Sequence, residues 1–292
     1  MSGEVLPNFL FIGPDKAGST WIHQALSRHP EVCLSKVKEL FFFDRFYERG
    51  WDWYQKYFSK CSQKHKVVGE ISHDYLFSTL ACERIACDLP SVKLMVCLRE
   101  PVERAFSAYL YMKKQGRVAG DFGTALKELD ELIDHGRYAT HLRRYSETFG
   151  RERLHVAVFD DLVACPQEFY DDICDFLEVG RRALPRESEG KVNPATRPRW
   201  RYIGGFARMI GWQIRRWGMP GLVGAVKESA LVKRLLYEEY SSESKPEIRD
   251  DARLYMRDKL TAEVQDLDAL IGTDLCSHWG YPRRAESPSW QP

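Results

Sequence analysis

The stretch Asn8-Phe9-Leu10-Phe11-Ile12-Gly13-Pro14-Asp15-Lys16-Ala17-Gly18-Ser19-Thr20-Trp21 constrains this chain more than any other. Its apolar run up to Gly13 reads as a buried strand. A turn bounded by two glycines and holding one lysine follows, and Ser19-Thr20-Trp21 then opens a helix. Strand, tight turn and helix start together make an anion cradle. The first amides of a helix lack intrahelical partners and lie at the positive end of its dipole, so a phosphate is stabilised there by backbone alone.

The position of the lysine narrows the anion. A nucleoside-triphosphate loop has the form G-x-x-x-x-G-K-[ST], with lysine after the second glycine. Gly13 and Gly18 keep that spacing, but Gly18 is followed by Ser19 and Thr20, and the lysine stands two residues before it. A nucleotide with a 5′-phosphate group and no magnesium-bound triphosphate fits better. A second stretch runs from the β-rich Val92-Lys93-Leu94-Met95-Val96-Cys97-Leu98 into Arg99-Glu100-Pro101 and then Val102-Glu103-Arg104-Ala105-Phe106-Ser107. Pro101 suits the first turn of a helix. Arg99 leaves a strand end, where open α/β sheets bind ligands, and its fork fits a phosphate.

These two stretches, in this order and about eighty residues apart, resemble the donor site of the sulfotransferase family that uses 3′-phosphoadenosine 5′-phosphosulfate (PAPS) and releases the bisphosphate PAP. The likeness covers about residues 8–180 and is similar to the heparan-sulfate-type and bacterial branch. It implies that Lys16, Ala17, Gly18, Ser19, Thr20 and Trp21 hold the 5′-phosphosulfate and that Arg99 and Ser107 hold the 3′-phosphate. Lys191 and Arg197 fall where family members carry a late basic loop over the nucleotide.

The resemblance also implies a base. Lys38-Glu39-Leu40-Phe41-Phe42-Phe43 is similar to a segment in which a glutamate precedes a Phe-Phe run, and the family's general base maps onto Glu39. A carboxylate beside phenylalanines is partly desolvated, which raises its pKa, while Lys38 opposes the shift. The cytosolic aryl and steroid enzymes use a histidine instead, and His73 is the nearest candidate. Gly69-Glu70-Ile71-Ser72-His73-Asp74-Tyr75 resembles the family's G-E-K-[ST]-P-x-Y with two departures. Ile71 stands where a sulfonate-lining lysine is expected, leaving His73 or Lys38 to supply the charge, and His73 replaces a proline. Tyr138, after Gly136-Arg137, is open to two readings, acceptor cleft or core.

Strand and helix patterns alternate along the chain. Strands are expected at 8–13, 67–71, 92–98 and 154–159. Helices are expected at 20–28, 51–58, 80–88, 102–114, 122–134, 139–149, 166–177 and 245–271. This alternation predicts a P-loop-like three-layer α/β/α fold with a mainly parallel sheet and a C-terminal helical region. One domain over 1–292 is expected, with a nucleotide-binding core at 8–180, a polar loop at 181–198, a basic helical insertion or lid at 191–245 and a disordered tail at 283–292.

From Lys191 to Lys227 there are eight Lys or Arg and no Asp or Glu, although the whole chain carries a net charge of only +1. Such a block suits an anionic partner. Its apolar stripe, Ile203, Phe206, Ala207, Ile210, Ile214 and Trp217, reads as packing, as a lid over a hydrophobic acceptor, or as peripheral membrane contact, which is not favoured. No nucleic-acid partner is expected. The eight cysteines form no CxxC pairs and the histidines are scattered, so no metal site is expected and a reducing cytoplasm is the simplest home. The expected activity is sulfuryl transfer from PAPS to a hydroxyl of a carbohydrate, lipid or natural product. The rival readings are a P-loop kinase and a non-catalytic protein that binds nucleotide or a membrane surface.

Overall fold

The computed structural model describes residues 6–185 and 246–284, together with residues 188, 196–198, 213–214 and 237–239. Five strands, β1 (Phe9–Gly13), β2 (Val32–Leu34), β3 (Val67–Ile71), β4 (Lys93–Leu98) and β5 (Leu154–Val158), form one sheet in the order β2-β3-β1-β4-β5. Every neighbouring pair is parallel. All five carboxyl ends therefore share one edge, and β1 lies at the centre between β3 and β4, with Phe9 opposite both Gly69 and Lys93.

The central strands are continuous apolar runs because both faces are covered. Alternate residues point to opposite sides. Leu10, Ile12, Leu94, Val96 and Leu98 join the core beneath α3 (Thr79–Asp88), α4 (Pro101–Lys114), α7 (Tyr138–Phe149) and the C-terminal α10 (Asp250–Ile271). Phe9, Phe11, Ile71, Met95 and Cys97 face α1 (Ser19–Leu26) and α9 (Pro166–Phe176) through Trp21, Ile22, Phe169 and Ile173. The three-layer α/β/α expectation holds. α10 lays Ala252, Met256, Leu260, Val264 and Leu267 along one buried stripe. α4 starts with Pro101 in its first turn, and the Glu100 carboxylate accepts the Glu103 N–H at 2.8 Å.

Several boundaries differ from the sequence expectation. β2 is three residues long, too short to register as a period. The helix expected over 122–134 is two, α5 (Phe122–Glu128) and α6 (Glu131–Asp134), because Leu129 is extended. Phe159 opens α8 (Phe159–Ala164) instead of ending β5, with Asp160 and Asp161 placed favourably in its first turn. The expected 51–58 helix is α2 (Trp51–Gln55) followed by a 3₁₀ turn, and α11 (Leu275–Trp279) was not anticipated. Thr196–Pro198, expected as loop, is β6, paired antiparallel with β7 (Tyr237–Glu239). The rest of the basic 191–245 segment, its apolar stripe included, and residues 285–292 of the expected tail lie outside the described residues.

Cys33 on β2 is disulfide-bonded to Cys61, 28 residues on, with Cα atoms 5.6 Å apart. That pairing was not visible in the spacing and removes two thiols from the case for a reducing compartment. Cys97 is fully buried in its strand, as expected.

Candidate active site

The turn after β1 is shaped by two glycines. Gly13 has φ +144°, and a Cβ there would sit 2.4 Å from the His73 carbonyl oxygen. Gly18, at φ +89°, precedes α1, and a Cβ there would meet Leu162 at 3.0 Å. Between them Lys16 holds φ +62°, a left-handed conformation that costs a non-glycine residue about 1 kcal/mol or more and persists where the surroundings impose it. The Ile22 N–H donates to Gly18 O at 3.0 Å, so the amides before it form the open cradle at the helix start. The Lys16 ammonium lies 4.3 Å from the Tyr111 ring centre on α4.

Arg99 emerges from the carboxyl end of β4 next to that turn. Its Nη1 donates to the Lys16 carbonyl at 3.3 Å, and its guanidinium lies over the Phe159 ring at 4.9 Å. Burial draws its pKa below the ordinary arginine value, against the pull of nearby Glu103. The Tyr138 hydroxyl donates to the Arg99 carbonyl at 2.8 Å. Ser107 stands one helical turn before Tyr111 on α4, on the face that meets Lys16. The two stretches singled out in the sequence thus meet in one place.

A third cation arrives from the loop after β2. Lys38 Nζ donates to Ser19 Oγ at 3.2 Å and to Thr20 Oγ1 at 2.9 Å. Ile71, where the resemblance expected a lysine, is fully buried in the core shared with Phe11 and Trp21. Burial, reinforced by Lys38 and Lys60, pushes the pKa of His23 on α1 down to about 4.

Glu39 follows directly. It too is left-handed, at φ +62°, and its N–H donates to Ile71 O at 2.8 Å. Its Oε1 lies 3.5 Å from His73 Nε2, and His73 Nδ1 lies 2.7 Å from Asp74 Oδ1. Arg45 pairs with Asp74 and covers the Phe41 ring, which meets the His73 ring edge-on at 5.6 Å. Burial alone would lower the His73 pKa, but Asp74 and Glu39 override it and push it up to about 10. Burial likewise acts to raise Asp74, and His73 and Arg45 hold it below its ordinary value.

Two further carboxylates sit deeper. Glu70 on β3 is fully buried and accepts the Tyr75 hydroxyl at 2.5 Å, while the Tyr75 oxygen accepts the Phe42 N–H at 2.8 Å. With the Phe41 N–H on Ser72 Oγ at 3.2 Å, these bonds fix the phenylalanine wall. Burial pushes Glu70 up to about 8 and Asp44 up to about 7. Asp15, beside Lys16, is 3.1 Å from the guanidinium of Arg104, a wholly buried arginine on α4 whose Nη2 also donates to Leu132 O at 2.6 Å. His135, stacked on Phe77, is 3.6 Å from the same Asp15 oxygen. Burial alone would raise the Asp15 pKa, but His135 and Arg104 hold it far below the usual range.

Lys16, Ala17, Gly18, Ser19, Thr20, Arg99, Ser107, Glu39 and His73 therefore gather at one sheet edge. Trp21 does not join them with its side chain. Its indole is buried, packs edge-on to Phe169 and donates to Ser188 O at 2.7 Å. Tyr138 is a buried residue that braces Arg99. Lys191 lies outside the described residues, and Arg197 sits on β6 opposite Glu238, on a strand alongside α4. Asp74 and the Asp15–Arg104 pair were missed. The available signal was an arginine among apolar residues on the buried side of α4.

Residues 6–191 match the family described as the sulfotransferase domain. Among curated relatives, the membrane-associated sulfotransferase kil1 of Dictyostelium discoideum is 35% identical over 106 residues, 36% of this chain and 22% of that protein. The human bifunctional heparan sulfate N-deacetylase/N-sulfotransferase 2 is 30% identical over 195 residues, 60% of this chain and 22% of that protein. The chain thus spans about a fifth of the length of these relatives. Among solved structures, a sulfotransferase from Alicyclobacillus acidocaldarius has the same fold, with a TM-score of 0.69 and 24% identity over 94% of this chain and 99% of that one. A mouse sulfotransferase, SULT7A1, complexed with PAP gives 0.51 and 12% over 94% and 87%. Among the described residues no helix is long and apolar enough to cross a membrane. With the matched residues running from before the turn after β1 to beyond α9, more than half of the chain, this protein belongs to the sulfotransferase domain family.

Proposed function

We propose that the chain transfers a sulfuryl group from PAPS to a hydroxyl of a carbohydrate, lipid or natural-product acceptor, with Glu39 as general base. One observation carries the reading: Arg99 Nη1 donates to the Lys16 carbonyl at 3.3 Å, so the two stretches that the resemblance assigns to the donor's two phosphates are adjacent. The donor set fits such a ligand. Three cations, Lys16, Lys38 and Arg99, and the hydroxyls of Ser19 and Thr20 surround the helix start, and the nearby Asp15 is neutralised by Arg104. The relatives named for heparan sulfate favour a glycan among the acceptor classes.

In this reading the acceptor oxygen bonds to sulfur as the bond from sulfur to the 5′-phosphate oxygen breaks, and the electron pair leaves with the phosphate. Lys16 and the first amides of α1 compensate charge on the departing phosphate. Lys38 orients the two hydroxyls and adds charge at the sulfonate, where Ile71 brings none. Glu39 takes the proton of the acceptor hydroxyl. Catalysis is then mainly positioning and charge stabilisation, as for the related phosphoryl transfers.

The test is incubation with radiolabelled PAPS and a panel of glycans, hydroxylated lipids and small metabolites, with and without EDTA. Transfer that survives EDTA is expected. Glu39→Gln should bind PAP as the parent does and lose about 10²–10⁴-fold in turnover, the usual scale for removing a general base. Magnesium-dependent ATP hydrolysis in place of transfer would overturn the assignment.

A further inference from the structure

We infer that His73 is not a second base but a fixed cation, gripped between Asp74 and Glu39, that holds the Glu39 carboxylate in place and in its ionised state. The inference rests on the reading of Glu39 as the base and assigns His73 a positioning role in the same reaction.

The geometry leaves the ring little else to do. Nδ1 faces Asp74 at 2.7 Å and Nε2 faces Glu39 at 3.5 Å. Asp74 is at hydrogen-bond distance and Glu39 at ion-pair distance, and two carboxylates flanking one ring favour the form with N–H on both nitrogens, the imidazolium. Such a ring has no lone pair left for a substrate proton. Its position is also fixed. The His73 carbonyl is packed against Gly13, the ring edge meets Phe41, and the Ser72 N–H donates to Phe11 O at 3.0 Å. Arg45 anchors Asp74 from the far side and also lies 3.2 Å from Asp44. Asp15 in the turn after β1 is a third carboxylate close enough for His73 to help hold its pKa low, and it is itself matched by Arg104 and His135. Lys38 stands one residue before Glu39 with its ammonium on Ser19 and Thr20.

A carboxylate beside Phe41 would otherwise drift towards its neutral acid, which cannot take a proton. The imidazolium opposes that drift. During transfer the acceptor's O–H proton moves to a Glu39 oxygen, the new oxygen–sulfur bond forms, the sulfur–phosphate oxygen bond breaks, and His73 keeps both of its protons throughout. The cation then disfavours protonated Glu39, which returns its proton to water and resets the site.

The experiment compares kcat/KM against pH for the parent, His73→Gln, His73→Lys, Asp74→Asn and Glu39→Gln, with PAP affinity and thermal melting measured on each. His73→Gln should move the acidic limb up by roughly one to two pH units, lower the rate at neutral pH about tenfold and recover at alkaline pH. His73→Lys should keep the limb near the parent's. Loss of activity across the whole range in His73→Gln, with folding and PAP affinity intact, would make His73 the base and overturn the inference. An unmoved limb with full activity would also overturn it. If His73→Gln does not fold, Asp74→Asn decides, because loosening the grip on the ring should shift the limb in the same direction. Retained turnover in Glu39→Gln sinks the Glu39 reading itself, separately from the His73 outcomes.

Discussion

The turn after β1 and the turn after β3 touch at Gly13 and His73, yet they are stabilised in opposite ways. The first is built from backbone. Two glycines and a left-handed Lys16 lay helix-start amides open, and Lys38 and Arg99 reach it from the loop after β2 and the end of β4. The second is built from side-chain charges already paired among themselves, His73 with Asp74 and Glu39, Arg45 with Asp74. One region presents amides, hydroxyls and cations, and the other pairs carboxylates with a histidine and an arginine of its own. In the proposed reading, donor binding and proton removal occupy neighbouring loops, joined by Asp15, which belongs to the first loop and whose carboxyl is held low in part by the histidine of the second.

The most direct way to break this division is to remove Arg104. Its guanidinium is wholly buried against Asp15, so Arg104→Met strips the carboxylate of its buried cation and leaves it beside His135. Breaking a buried pair from one side costs about 3–5 kcal/mol. At about 2–4 °C for each kcal/mol, a fall of roughly 6–20 °C in melting temperature is expected. Adding Asp15→Asn should recover most of it. A double variant no better than the single one would mean that Arg104 works through the Leu132 carbonyl rather than through the turn.

The wall behind Glu39 is probed by pH instead. Glu70 has a native pKa of about 8 against an ordinary 4.5, and Asp44 about 7 against 3.8, both raised by burial. Between those values the native state holds protons that the unfolded chain has lost. The stability these groups contribute is therefore full below about pH 4 and is lost as pH rises towards 8. Glu70→Gln removes its share, so its melting temperature should fall less than the parent's from pH 5 to pH 7, by the equivalent of roughly 2–3 kcal/mol. The slope decides, because the new amide adds only a constant offset. Parallel curves for the two proteins would place Glu70's proton elsewhere.

How legible each region was follows from how it is built. The phosphate turn is local chain, and its glycine spacing, lysine and hydroxyls are consecutive in the sequence, so Lys16 to Thr20 could be read directly. Arg99 was readable because a strand end and an N1 proline announce it. The wall is made of contacts across more than thirty residues, Phe41 N–H to Ser72 and Phe42 N–H to Tyr75, and no local pattern encodes them. The choice between Glu39 and His73 arose from the same blindness. They are 34 residues apart in sequence and 3.5 Å apart in space, one unit rather than rivals. Asp15 and Glu39 look alike on paper, and only their partners, a buried arginine and a gripped histidine, separate them.

Lys38 gives the finest test, since it spans both regions, with its ammonium on the phosphate turn and its backbone one residue from Glu39. If its charge serves the sulfonate, Lys38→Ala should lower kcat about 10–30-fold, the scale of one charge-assisted hydrogen bond, and change PAP affinity by less than about threefold, because PAP carries no sulfonate. A matched loss in PAP affinity and kcat would put the ammonium on the 5′-phosphate and enlarge the first region at the expense of the second. Restoring a lysine through Ile71→Lys in the same background should not rescue the rate. Ile71 is enclosed with Phe11 and Met95, so an ammonium there is desolvated and destabilises the sheet instead of reaching the cleft. Rescue would mean that the side chain at 71 can turn out of the core, and that the cation for the sulfonate is free to come from either strand loop.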